Sequence, residues 1–168
     1  LAENECKKQI SLVPTMGCLH EGHIALIKKS KKLKYFTVVS IFLNPIQFNN
    51  KSDLKQYPSQ EKEDIKILKK YKVDIIFIPR TNEIYPKDYS TFLRETNFSN
   101  ILCGRHRKDH FSGVITIILK LFIIVRPCVA IFGEKDYQQL FLIKKMVKDL
   151  SLDTKIKSIP TVRDKFGL

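Results

Sequence analysis

Apolar residues along this chain come in two alternating patterns. The mostly apolar run "ISLVP" ends at Pro14 and predicts a short buried strand. "HIALIKKSKKLK" then spaces Ile24, Ile27 and Leu33 at roughly helical intervals with lysines opposite, which predicts a helix. "YFTVVSIFL" is a continuous, β-branched run closed by an Asn-Pro pair, the mark of a second buried strand and its exit turn. "PSQEKEDIKILKKYK" puts acids in its first turn and lysines in its last, as a helix dipole prefers, and "VDIIFIP" predicts a third strand.

From Arg80 to Asp109 the periodicity weakens. "NEIYPKDYS" reads as a loop and "NFSNILCG" as a short helix closed by Gly104. Irregular stretches of this length are often functional. "HFSGVITIILKLFIIV" has the β-branched content of a strand but the length of a helix packed on both sides, and length decides for the helix. "CVAIFG" predicts a strand, "EKDYQQLFLIKKMVKDL" a helix with Leu140, Ile143 and Val147 on one face, and "TKIKSIPTV" a last strand. Strands that alternate with helices imply an α/β fold with a mainly parallel sheet, because parallel neighbours need a crossover and that crossover is usually a helix.

Composition alters this picture little. With 168 residues, 43% of them hydrophobic, the chain supports one domain, residues 1–168. It starts at Leu1 without a Met and stops at "RDKFGL", so it is expected to be a fragment. The net charge of +13 raises the question of a polyanionic partner, yet the lysines are spread as solvated helix faces and no nucleic-acid partner is expected. The longest apolar run, Val114 to Val125, is short of the roughly 20 residues that span a bilayer and carries Lys120, so no membrane segment is expected. "LAENECKKQI" lacks the apolar core of a signal peptide. Cys6, Cys18, Cys103 and Cys128 form no metal-ligand spacing, and a reduced, cytoplasmic chain is the default.

Ligands of parallel sheets bind beyond the carboxyl ends of the strands, and three polar clusters fall there: "MGCLHEGH", "NPIQF" and "FGEKDYQQ". In the first, Gly17 lets backbone approach a ligand, and the following helix offers unpaired amides to an anion. His20 and His23 stand at that helix start, where two imidazoles suit phosphate oxygens, a metal ion, or a merely structural role. In the third, Gly133 frees the backbone and Lys135 is a candidate phosphate ligand. Asp136 suits a helix cap, a ribose hydroxyl or magnesium. Gln47 and Gln139 carry amides that both donate and accept, as a substrate with hydroxyls and a carboxyl requires.

Taken in order, "LVPTMGCLHEGH", "FLNPIQF", Tyr57-Pro58, "CG" with "HFSGV", "KLF", "FGEKDYQQL" and "PTVRDKFGL" resemble the pantothenate synthetase (pantoate–β-alanine ligase) family of the HxGH nucleotidyltransferase-like superfamily. The resemblance covers nearly the whole chain. It implies a Rossmann-like domain, helices on both faces of the sheet, in a homodimeric cytosolic enzyme. ATP and magnesium would convert (R)-pantoate to pantoyl adenylate with loss of pyrophosphate, and β-alanine would displace AMP.

By position in the family's motifs, Met16, Gly17, Cys18, Leu19, His20, Glu21, Gly22 and His23 would belong to the ATP site, with His23 the proton donor. Gly133, Glu134, Lys135, Asp136 and Val162 would complete it. His20 and Lys135 would share the catalytic work, Gln47 and Gln139 would hold pantoate, and Gln47 would also lie near β-alanine. The sequence offers no identifiable base for that amine. Arg107-Lys108-Asp109-His110 departs from the family's Arg-Pro-Gly-His, and Cys128 replaces a common acid. The family continues past Leu168 with a Ser-Ser-Arg segment and a lid domain. Two further readings stay open: a nucleotide-binding remnant without ligation, and a related HxGH adenylyltransferase, which Gln47 and the complete "FGEKDYQQL" disfavour.

Overall fold

The run that ends at Pro14 forms strand β1 (Ile10–Thr15), the centre of a five-stranded, all-parallel sheet in the computed structural model, which describes residues 9–167. The order is β3 (Ile75–Phe77), β2 (Phe36–Ile41), β1, β4 (Val129–Gly133) and β5 (Lys155–Ile159). The strand order reverses between β1 and β4, the switch point at which such sheets open a crevice.

Pro14 explains why the crevice opens there. Ile10 O accepts from Cys128 N on the β4 side, whereas Thr15 O accepts from Phe42 N on the β2 side. Alternation along the strand therefore turns Pro14 towards β4, with no N–H to donate. Pairing between β1 and β4 is confined to Ser11 with Val129 and Leu12 with Ala130, whereas β1 and β2 stay paired through Thr15 and Ile41.

The period-2 alternation divides the core into two layers. Leu12, Val38, Ala130 and Phe132 join one cluster with α6 (His110–Val125) and α7 (Tyr137–Asp149). Val13, Val39, Ile41 and Ile131 join the other, with Leu26 and Ile27 of α1 (Glu21–Lys32) and Leu68 of α3 (Glu61–Lys70). Helices thus cover both faces, as the Rossmann-like expectation requires.

The ambiguous run 110–125 is helical. Phe111, Val114, Ile115, Ile118, Leu121 and Phe122 are buried on it, and packing from several sides outweighs the strand propensity of its β-branched residues. Lys120 keeps its ammonium 4.4 Å from the centroid of the Tyr89 ring and 5.6 Å from that of Tyr85. Such cation–π placement accommodates a charge among apolar neighbours. Among the described residues no helix is long and apolar enough to cross a membrane.

Several boundaries differ from the sequence expectation. A short helix α2 (Lys51–Gln56) follows the second motif, with the Asn50 side chain accepting from Ser52 N at 3.0 Å. Part of the expected loop is helical, α4 (Thr81–Ile84). Gly104 does not close a helix: a 3-10 turn spans Phe98–Asn100 and Gly104 lies inside α5 (Cys103–His106). A Cβ at Gly104 would stand 1.9 Å from Ser99 O, so close approach, not termination, requires glycine. The final strand stops at Ile159, and the helix after β4 begins with a 3-10 turn, Glu134–Asp136. Cys6 and the leading segment lie outside the described residues.

Gly113 seats α6 directly on the 3-10 turn Pro45–Gln47, where a Cβ would come 2.8 Å from both Cα and N of Gln47. Gly113→Ala is expected to destabilise the fold by about 1–3 kcal/mol through overpacking. Urea unfolding monitored by circular dichroism measures it.

Candidate active site

At the carboxyl ends of β1, β2, β4 and β5 lies a cavity of 320 Å³. It gathers the three sequence motifs. From the first come Met16, His20, Gly22 and His23, from the second Gln47, and from the third Gly133, Lys135, Asp136 and Gln139; Val162 stands beyond β5. The remaining residues expected at the ATP site are placed otherwise. Gly17 and Cys18 line a separate 210 Å³ hollow, Leu19 packs on the core layer beneath α1, and Glu134 accepts from Ser158 Oγ at 2.8 Å. Glu21 is an exposed first-turn acid of α1.

Four backbone amides of the first motif are already bonded within the chain. Asp64 of α3, 1% exposed, accepts from Cys18 N at 2.9 Å and Leu19 N at 2.8 Å. Gly17 turns with φ +88°, and a Cβ there would approach Asp64 Oδ2 to 3.0 Å. Glycine therefore serves both the turn and the carboxylate's close approach. His20 caps α1, its Nδ1 accepting from Gly22 N at 3.1 Å, and His23 Nδ1 accepts from His20 N at 3.3 Å. The amides of Cys18, Leu19, His20 and Gly22 are thus occupied within the chain, and of the helix start, where unpaired amides were expected, Gly22 N is already taken by the cap.

This capping decides what the imidazoles present. A ring nitrogen that accepts carries no hydrogen, so each neutral ring keeps its hydrogen on Nε2. The rings lie 4.1 Å apart between centroids. Burial, reinforced by the neighbouring His20, lowers the His23 pKa to about 4, so His23 is neutral at pH 7. In the free protein the neutral ring keeps its one hydrogen on Nε2, beside the cavity.

The second motif is held by a buried amide. Asn44, 1% exposed, donates to Gly113 O and to Gln47 Oε1, each at 3.1 Å, and accepts from the Tyr85 hydroxyl at 2.9 Å. Gln47 Nε2 donates to Met16 Sδ at 2.9 Å, a weak acceptor. His110 Nδ1 donates to Gln47 O at 2.8 Å, and burial pushes its pKa below the usual range.

In the third motif Asp136 precedes α7 but makes no capping bond; its carboxylate meets Lys135 Nζ at 3.3 Å. Gly133 has an ordinary φ of −85° and nothing within 4 Å of a Cβ position. It does not free an unusual backbone, as expected from sequence; it leaves space. Gln138, beside Gln139, points elsewhere and ties α7 to Phe98 O, Ile101 O and Cys103 N. Among the described residues no three histidines, cysteines or acids converge on a metal site.

Asp64 and Asn44 were absent from the sequence-based site. Asp64 had a readable signal: it stands one helical turn before buried Leu68, an acid on an apolar stripe. Asn44 was read as part of an exit turn and fell within the "NPIQF" cluster, but was given no role of its own.

A parallel α/β domain with its cavity at the switch point has the architecture of a nucleotide-binding fold. Within that class the chain belongs to the pantoate–β-alanine ligase family, whose sequence model matches residues 1–168. It is 55% identical to a pantothenate synthetase of Buchnera aphidicola over 163 residues, 96% of this chain and 57% of that protein. A relative from Pseudothermotoga lettingae, also a pantothenate synthetase, is 49% identical over 96% of this chain and 58% of its own length. The chain therefore spans somewhat over half the length of these relatives. The crystal structure of the Francisella tularensis pantoate–β-alanine ligase, complexed with β-γ ATP and β-alanine, superposes with a TM-score of 0.94 at 47% identity, covering 97% of this chain and 63% of that one.

Two outcomes follow from the first motif. Asp64→Ala, which strands two amides, is expected to lower stability by about 3 kcal/mol, as loss of hydrogen bonds to a buried charged group does; denaturant titration reads it. The His23 imidazole is expected to titrate at about 4 by NMR, against 6.5 for a free imidazole. Because the unfolded ring takes its proton first, the stability attached to His23 is complete above pH 6.5 and declines as pH falls towards 4.

Proposed function

We propose that this chain supplies the ATP- and pantoate-binding domain of a pantothenate synthetase. The reaction is ATP-dependent condensation of (R)-pantoate with β-alanine through pantoyl adenylate. The observation that carries the reading is the single cavity shared by His20, His23, Gln47, Lys135, Asp136 and Gln139. The ATP and β-alanine named for the Francisella relative support it.

In the first half-reaction a pantoate carboxylate oxygen attacks the α-phosphorus of ATP, an O–P bond forms, and the bond to pyrophosphate breaks. Two anions must meet, and charge grows on the departing pyrophosphate. The Nε2–H groups of His20 and His23 and the Lys135 ammonium donate to those oxygens, which suits electrostatic stabilisation without a protein nucleophile. Gln47 and Gln139 orient pantoate, and Val162 lies against the nucleotide. In the second half-reaction the β-alanine amine, near Gln47, attacks the adenylate carbonyl and AMP leaves.

Magnesium fits as the companion of the triphosphate. The Asp136 carboxylate is more than half exposed and uncommitted to helix capping, so it offers the protein oxygen, and phosphate oxygens supply other ligands. The ion would offset phosphate charge. A cytoplasmic homodimer accords with this reading.

The full-length natural protein is expected to exchange labelled pyrophosphate into ATP only when pantoate is present. His23→Ala should reduce that exchange by about a hundredfold or more, the scale of a lost transition-state donor. Exchange that does not need pantoate would refute the substrate assignment and favour a different adenylyltransferase.

A further inference from the structure

We propose that Tyr85, outside the cavity, is a positioning residue that sets the orientation of the Gln47 amide through buried Asn44, so that the site presents N–H donors to an acceptor oxygen of its substrate. The inference rests on Gln47 contacting the substrate, as in the proposed function.

The polar logic starts at a backbone carbonyl. Gly113 O can only accept, so the Asn44 atom 3.1 Å from it is the amide nitrogen. The Asn44 carbonyl then faces Tyr85, whose hydroxyl is the donor at 2.9 Å. The second N–H of Asn44 is directed at Gln47, and it requires the carbonyl Oε1 there, at 3.1 Å. Gln47 is left with its NH₂ group turned into the cavity, where among the described residues it meets the Met16 thioether, 2.9 Å away. A carboxylate or hydroxyl oxygen is a far better acceptor, so the amide is set to exchange sulfur for substrate.

Tyr85 is fixed for this role. Its ring packs against Phe42 and Tyr89, with centroids 6.1 and 5.0 Å away, and Lys120 lies over it. Burial and neighbouring Tyr89 push the phenol well above its ordinary pKa, which keeps the donor hydrogen in place. Without that hydrogen the Asn44 carbonyl loses its partner in a site closed to solvent, and the Gly113 carbonyl alone is left to hold the Asn44 amide, and through it Gln47, against rotation.

The test is Tyr85→Phe in the full-length protein. The pantoate KM is expected to rise about tenfold, the scale of one lost hydrogen bond to a buried amide, while the ATP KM stays within about twofold. In an Asn44→Ala background the same change should add nothing to the pantoate KM, because the route through Asn44 is already cut. An unchanged pantoate KM, an equal rise in both KM values, or full additivity in the double variant would overturn the proposal. The Gln47 side-chain amide signals in ¹H–¹⁵N spectra give a readout independent of turnover. They should move in Tyr85→Phe even if the wild type shows no pantoate-dependent exchange, an outcome that would sink the proposed function alone; unmoved signals would sink the Tyr85 assignment.

Discussion

The hydrogen that Pro14 lacks shapes the rest of the site. Five parallel strands would ordinarily zip together along their length, and β1 does so with β2 as far as Thr15. Towards β4 the ladder ends at Leu12 because the next position facing that way has no donor. The first and third motifs therefore leave the sheet on diverging paths, with 320 Å³ between them. The crevice is built into the backbone, so little ordering cost falls on the ligand that enters.

Two buried polar side chains then fix the walls, one from each face of the sheet. Asp64 comes from α3 and pins the loop after β1, whereas Asn44 follows β2 and is pinned by the backbone of α6. Neither can be left unpaired in so closed a setting without cost, which makes both arrangements specific. The same economy governs the imidazoles: their Nδ1 atoms accept at the start of α1, and their hydrogens are left on Nε2. Helix capping thus fixes which nitrogen of each ring keeps the hydrogen.

The layered α/β fold was legible because buried parallel strands read as β-branched runs and their crossovers as amphipathic ones. Residues 110–125 were settled by length. The ambiguity was real, since nine of its sixteen residues are buried and many are β-branched. The three motifs were legible as loops after strands, and the cavity joins them. What escaped were contacts distant in sequence: Asp64 reaches back 46 residues to Cys18, and Gly113 lies 69 residues from Asn44. No local pattern encodes such pairings. Gly133 misled for a different reason, since its composition signals flexibility and its position calls for volume.

Lys120 shows how one residue meets demands from outside the native state. The segment Val114 to Val125 combines β-branched and large apolar residues without proline, the makeup of a self-associating strand before folding is complete. A single lysine divides it into two shorter runs, as gatekeeper charges do in aggregation-prone segments. The folded protein must then house that charge on a helix whose flanks are buried, and the faces of Tyr85 and Tyr89 accommodate it. The aromatic pair that supplies the Tyr85 hydroxyl to Asn44 therefore also lets the chain carry a safeguard against aggregation through its most apolar helix.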